Sequence, residues 1–196
     1  DGPFVETKIA SQVAMTLDIA GEMFSSLGKD LVLKKLSLDG LGPINSGLWK
    51  WNFYRHNNLT PAFSLGRILA YCAMEMEGRK TPYYFDPKHI IPYTDLAVGE
   101  LNEVLDEIIL PDGGYAEGSG YLLYSLSSCL PVYDALARTR GKQLREVLPA
   151  SLKRTAEYVE ALKSTDSKGG LIPICDSPSS GRWGANAFDT AARLAS

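Results

Sequence analysis

Between Thr60 and Glu77 the apolar side chains go most of the way round a helix: Phe63, Leu65, Ile68, Leu69, Tyr71, Cys72 and Met76 leave no broad polar face. A helix of this kind has to be enclosed by other elements, so the chain needs a shell of partners for it. Thr60 reads as its cap and Pro61 as its first residue, where a missing N–H costs nothing. The other segments offer helices for the shell. Glu6 to Leu27 carries Ile9, Val13, Leu17, Ala20 and Phe24 at helical spacing, with Gly28 as its stop. Leu31 to Leu38 reads as a shorter helix. Thr94 to Leu110 turns Leu96, Val98, Leu101, Val104, Leu105 and Ile108 toward a core. Ser119 to about Thr139 is a helix kinked at Pro131, and Leu144 to Leu162 is another, marked by Leu148, Leu152, Ala156, Val159 and Leu162. A last helix is expected from about Ala187.

Two stretches interrupt this pattern. Leu38 to Asn58 reads as irregular, because Gly40, Gly42, Pro43 and Gly47 punctuate it, and Gly78 to Pro92 reads as a loop with several aromatics. No stretch alternates long enough to form a sheet, and no short-period repeat is present. The fold class expected is therefore all-α, with less than about a tenth of the residues in strands.

With 196 residues, 45% hydrophobic and 22% charged, the chain has the make-up of a globular domain or of part of a larger one. The net charge of −3, with no lysine- or arginine-rich run, gives no reason to expect nucleic acid. No apolar run reaches the roughly 20 residues of a membrane span. Cys72 and Cys129 sit in apolar helical patterns and read as small buried hydrophobes, and Cys175 stands apart from both. With two histidines and no CxxC spacing, no metal site or other cofactor is expected in this chain. The chain begins at Asp1 without a leader, and Phe188 to Ser196 look like a helix cut short, so it reads as an excised piece.

The polar chemistry collects in three places. Pro111 to Leu126, PDGGYAEGSGYLLYSL, opens with a turn signal, Pro111-Asp112-Gly113-Gly114. Glu117 follows between small residues, Ser119 reads as the N-cap of the next helix, and Tyr121 and Tyr124 lie three apart on one face. Glycines there let a ligand approach the backbone, and tyrosines such as Tyr115, Tyr121 and Tyr124 suit the faces and hydroxyls of a sugar. The structural alternative is a tight interhelical turn whose Glu117 caps backbone amides. Trp49 to Asn58, WKWNFYRHNN, is the second place. Trp49 and Trp51 can stack on sugars, Arg55 can meet a carboxylate or sulfate, and Asn52, His56, Asn57 and Asn58 can bond hydroxyls. A lone His at a helix mouth is more often a cap than a catalyst. The third place is Leu171 to Trp183, LIPICDSPSSGRW, with Asp176, Arg182 and Trp183. For it, a capped loop with a surface arginine is the plain alternative.

The pattern D-G-x-x-x-E-G-x-x-Y-x-x-Y, carried by Asp112, Gly113, Glu117, Gly118, Tyr121 and Tyr124, resembles the heparinase II/III-like polysaccharide lyases and the related alginate lyases. Trp51-Asn52 ahead of an apolar helix and the proline-to-aspartate turn near Asp176 are similar to the family's in kind and order. The resemblance thus covers about Trp49 to Trp183. It implies an (α/α) toroid over residues 1–196, with a downstream β-sheet domain that lies outside this chain and could carry a metal. It also implies a secreted or periplasmic bacterial enzyme acting on an acidic polysaccharide by β-elimination. In that scheme Glu117, His56 and Tyr121 are the catalytic candidates. Trp49, Trp51, Asn52, Arg55, Asn57, Tyr115, Tyr124, Asp176, Arg182 and Trp183 would bind substrate, all within reach of one sugar at one rim. The sequence departs from the family at Gly114, where some members carry a histidine or asparagine three residues before the glutamate. A toroid glycoside hydrolase or epimerase, with Glu117 and Asp176 or Asp112 as paired carboxylates, and a non-catalytic carbohydrate-binding domain are the alternatives.

Overall fold

The structure, a computed structural model, describes residues 3–50, 57–78, 87–162 and 172–175. Of these residues 82% are helical and none lies in a strand. Eight α-helices follow in order: α1 (Phe4–Ala20), α2 (Ser26–Lys35), α3 (Gly42–Lys50), α4 (Leu59–Glu77), α5 (Pro87–Ile108), α6 (Ser119–Arg140), α7 (Leu144–Val147) and α8 (Ala150–Ala161).

Helix α4 is the buried axis that its sequence demands. Phe63, Ile68, Ala70, Cys72 and Met74 are almost wholly enclosed, and α1, α5 and α6 pack around it. Its start differs from expectation. The helix begins at Leu59, and Thr60 lies inside it, buried. The Leu59 N–H is capped by the Asn57 side-chain oxygen at 2.9 Å, an Asx turn that replaces the threonine cap.

Helix α1 meets α4 through its small residues. Ala10, Ser11, Ala14 and Leu17 are buried, whereas Ile9 is 58% exposed, so the helix is turned by about one residue from the face read in the sequence. Close approach explains the difference. Thr7 Oγ1 donates to the Phe63 carbonyl at 3.0 Å and accepts the Gly66 N–H at 3.1 Å. A Cβ on Gly66 would stand 2.4 Å from the Thr7 carbonyl oxygen, a spacing that only small side chains permit.

The punctuation residues break the chain less than expected. Gly28 lies within α2, because Ser25 accepts its N–H at 3.1 Å and caps a new helix after the break at Gly21–Ser25. From Leu36 to Leu41 the backbone widens into a π turn and continues directly into α3, so Pro43 is carried inside a continuous helical stretch instead of ending one. Helix α5 already starts at Pro87 and runs through Pro92. Its buried face is Ile90, Thr94, Ala97, Leu101, Val104, Leu105 and Ile108, with Leu96 at 48% exposure. Helix α6 is one element through Pro131. The expected helix from Leu144 to Leu162 is instead two, since Pro149 holds Leu148 in an extended conformation between α7 and α8.

At the far end of α4 a polar cluster ties three helices together. Arg140 donates to both oxygens of the buried Glu75, at 2.7 and 3.2 Å, and reaches Asp95 at 2.8 Å. Thr94 Oγ1 also donates to Glu75. The Glu75 carboxylate is nearly enclosed, whereas Asp95 is exposed, and a charge enclosed like that of Glu75 is tolerated because it is paired.

Candidate functional site

Residues 109–118, between α5 and α6, form a compact loop closed by its own backbone. Ile109 and Tyr115 make an isolated bridge, Leu110 N–H donates to the Gly114 carbonyl at 2.8 Å, and Ala116 N–H donates to that of Ile108 at 3.0 Å. The Asp112 side chain accepts the Gly114 N–H at 2.9 Å, the local bond its place in the turn led us to expect. Two glycines with positive φ carry the loop against its neighbours. A Cβ on Gly113 (φ 83°) would stand 2.3 Å from the Arg154 carbonyl of α8, and one on Gly118 (φ 94°) would stand 2.3 Å from the Ile174 carbonyl. The loop is thus clamped on one side by α8 and on the other by residues 172–175.

Glu117 points from this loop to the start of α4. One carboxylate oxygen accepts the backbone N–H of Asn58 at 2.7 Å, and the other accepts its side-chain Nδ2 at 3.2 Å. Asn58 is buried, at 8% exposure, and occupies the N-cap position: its carbonyl accepts the Ala62 N–H at 3.3 Å, but its side chain makes no bond to its own helix. Next to Glu117, Ser119 does not cap α6 as expected. The helix already begins at Ser119, and its hydroxyl donates to the Ile172 carbonyl and accepts the Ile174 N–H, both at 3.1 Å. A junction between residues 57–58, 117–119 and 172–175 results.

The candidate residues divide accordingly. Tyr121 is exposed and Tyr124 half-buried on the first turns of α6, beside Glu117. Asn57 is half-buried and engaged in the cap of α4. Tyr115 lies in the core rather than at a surface open to substrate. Its hydroxyl is 2.7 Å from that of Ser125, and burial pushes its phenol well above the ordinary tyrosine range. The hydrophobic ring therefore serves packing, because the loop bridge at Ile109 turns it inward. Trp49 belongs to α3. Trp51, Asn52, Arg55, His56, Asp176, Arg182 and Trp183 lie outside the described residues. The expected gathering of Asn52, His56 and the Asp176 loop around Glu117 at one rim falls there too. What the structure does bring together is their described chain neighbours, Asn58 and Ile174–Cys175, against Glu117 and Gly118.

Tyr158 of α8 was not among the candidates. Its ring lies 3.3 Å from where a Cβ of Gly114 would be, so it borders the position at which the sequence departs from the lyase pattern. Its phenol is raised, first by partial burial and then by Asp112 and Cys175. Asn58, named with its neighbours but not chosen as a site residue, is the partner of Glu117. A bond between residues 59 positions apart leaves no periodic trace in a sequence. Among the described residues no group of His, Cys, Asp and Glu is arranged to hold a metal ion, and no helix is long and apolar enough to cross a membrane. Comparison with known protein families, characterised proteins and solved structures found no match to this chain.

Proposed function

We propose that this chain is part of a polysaccharide lyase that cleaves a uronic-acid polymer by β-elimination, with its helices forming part of an (α/α) toroid. In such a reaction the C5 proton becomes acidic only when the neighbouring carboxylate is neutralised by hydrogen bonds or positive charge. A base removes that proton, and a proton donor serves the departing glycosidic oxygen, each step typically contributing about 10² to 10⁴ in rate. The site proposed for this chemistry contains Glu117, His56 and Tyr121. The tryptophans, asparagines, Arg55, Tyr124 and the Asp176 to Trp183 segment are its proposed substrate contacts. A secreted or periplasmic location, and completion of the cleft by a downstream β-sheet domain, belong to the same proposal.

One observation carries the reading. The turn bearing the lyase-like pattern is hydrogen-bonded through Glu117 to Asn58, the last residue of the tryptophan-asparagine stretch. In a lyase these two stretches have to serve one sugar, and a direct bond between them supports that reading by fixing one against the other. The full-length parent protein, incubated with heparin, heparan sulfate or alginate, is expected to release products with the ultraviolet absorbance of an unsaturated uronide. New reducing ends without that absorbance would mean hydrolysis, and binding without either product would mean a carbohydrate-binding domain.

A further inference from the structure

Glu117 has an acceptor-only side chain when ionised, and both of its oxygens face one residue. That fixes Asn58 in two respects. Its backbone N–H is held at 2.7 Å, which sets where α4 begins. Its side-chain amide must turn Nδ2 toward Glu117, because the carbonyl oxygen facing a carboxylate would be repelled, so Oδ1 is directed the other way. The usual task of an N-cap asparagine, bonding its own helix, has passed to Asn57. The N–H and side chain of Asn58 are thereby held by a residue on another element, while its carbonyl stays with its own helix.

A general base needs an oxygen aimed at the proton it removes. Each oxygen of Glu117 instead commits a lone pair to Asn58, which anchors the carboxylate to that residue. We infer that Glu117 and Asn58 form a positioning pair, in which Glu117 acts through Asn58 and neither residue takes the C5 proton. The inference rests on the lyase reading and narrows the part of Glu117 within it. The pair sets the start of α4 and the orientation of a buried amide against the loop that precedes α6. A displacement of about 1 Å at such a junction can cost on the order of 10²-fold in rate without any loss of a reacting group.

Exchange of the two side-chain types separates positioning from proton transfer. In Glu117→Gln alone, the Asn58 amide has to flip and offer Oδ1 to the new amide nitrogen, which reverses the orientation that Glu117 imposes. In Asn58→Ala alone, the second oxygen of Glu117 loses its donor. In the double variant Glu117→Gln/Asn58→Asp both bonds can re-form, since the amide oxygen at 117 accepts the backbone N–H and its nitrogen donates to the acid at 58. The experiment uses the full-length parent protein, at a temperature well below melting, on whichever of heparin, heparan sulfate or alginate it cleaves. Each single variant is expected to lose roughly 10- to 100-fold in kcat, with the pH of half-maximal activity on the acid limb unchanged. The exchange variant is expected to regain most of both kcat and melting temperature. Three results would overturn the pair: unchanged kcat in both single variants, loss of the acid limb in Glu117→Gln, or an exchange variant as slow as Glu117→Gln. No unsaturated product from the wild-type protein defeats the lyase reading itself. The melting temperatures still decide on the pair in that case: recovery in the exchange variant supports it, and additive losses refute it.

Discussion

Gly66→Ala tests the closeness of α1 and α4, on which the burial of α4 depends. The added methyl would meet three Thr7 atoms, the carbonyl oxygen at 2.4 Å, Oγ1 at 2.5 Å and Cα at 2.7 Å. Two of these are backbone, so a rotamer change cannot relieve the collision and α1 has to move outward. Overpacking of this kind costs about 1–3 kcal/mol. The same shift stretches two buried hydrogen bonds through Thr7 Oγ1, each worth about 1 kcal/mol. Against this, alanine is the better helix former by about 1 kcal/mol. The difference is a net loss of roughly 2–4 kcal/mol, set by adding the first two effects and subtracting the third. For a chain of this size that lowers Tm by roughly 4–16 °C. Thermal unfolding followed by circular dichroism, with urea unfolding as a second measure, reads the effect directly. Thr7→Ala in the same background should restore little, because the backbone collisions remain. A variant that melts at or above the wild-type temperature would refute the reasoning, as would full rescue by Thr7→Ala.

The clamp at the candidate site gives a second expectation. Gly118→Ala puts a side chain at φ 94° and within 2.3 Å of the Ile174 carbonyl, so a loss of roughly 1–3 kcal/mol and faster amide exchange in the 109–118 loop are expected. Wild-type exchange rates in that loop would contradict the clamp. The thiols give a third. Burial pushes Cys72 and Cys129 up to about 12 from an ordinary 9.0, so the native fold keeps these protons after the unfolded chain has released them. Stability due to these thiols is full below pH 9 and falls as pH rises toward 12, by about 1.4 kcal/mol per thiol for each pH unit. Urea midpoints at pH 8, 9 and 10 should decline in that order, and a midpoint that rises with pH would contradict the burial. In the native protein at pH 8 only the exposed Cys175 should react with a thiol reagent, and all three after unfolding.

The helical class and the enclosed α4 could be read from spacing alone, because a helix without a polar face has few places to go. The faces of its partners could not. Ile9 and Leu96 are strongly apolar, yet Ala10, Ala14 and Ala97 are the buried residues, since the distance between helices decides which sizes fit. Punctuation was over-read for a similar reason. Pro43 follows a π turn without a break, Pro92 lies inside α5, and Gly28 falls behind a Ser25 cap, so none of the three ends a helix. At the candidate site, the loop from Pro111 to Gly118 was legible as turn chemistry. Its partner at Asn58 was not, and Tyr115, chosen as a sugar contact from residue type, faces the core.

The start of α6 has a further consequence for the path by which the protein forms. Its bonds to Asn58, Ile172 and Ile174 span 59, 53 and 55 residues. The two bonds of Ser119 close one loop and that of Glu117 another, each at an entropy cost on the order of 4 kcal/mol, whereas α-helical turns close over four residues. The junction therefore gathers after the helices that border it, as a late seam rather than a nucleus. Changes at Glu117, Asn58 or Ser119 should then appear in the unfolding rate and leave the folding rate nearly unaltered, which stopped-flow kinetics in urea would resolve. A junction assembled last is also the first to open, so the region that holds the candidate site would loosen before α4 loses its shell.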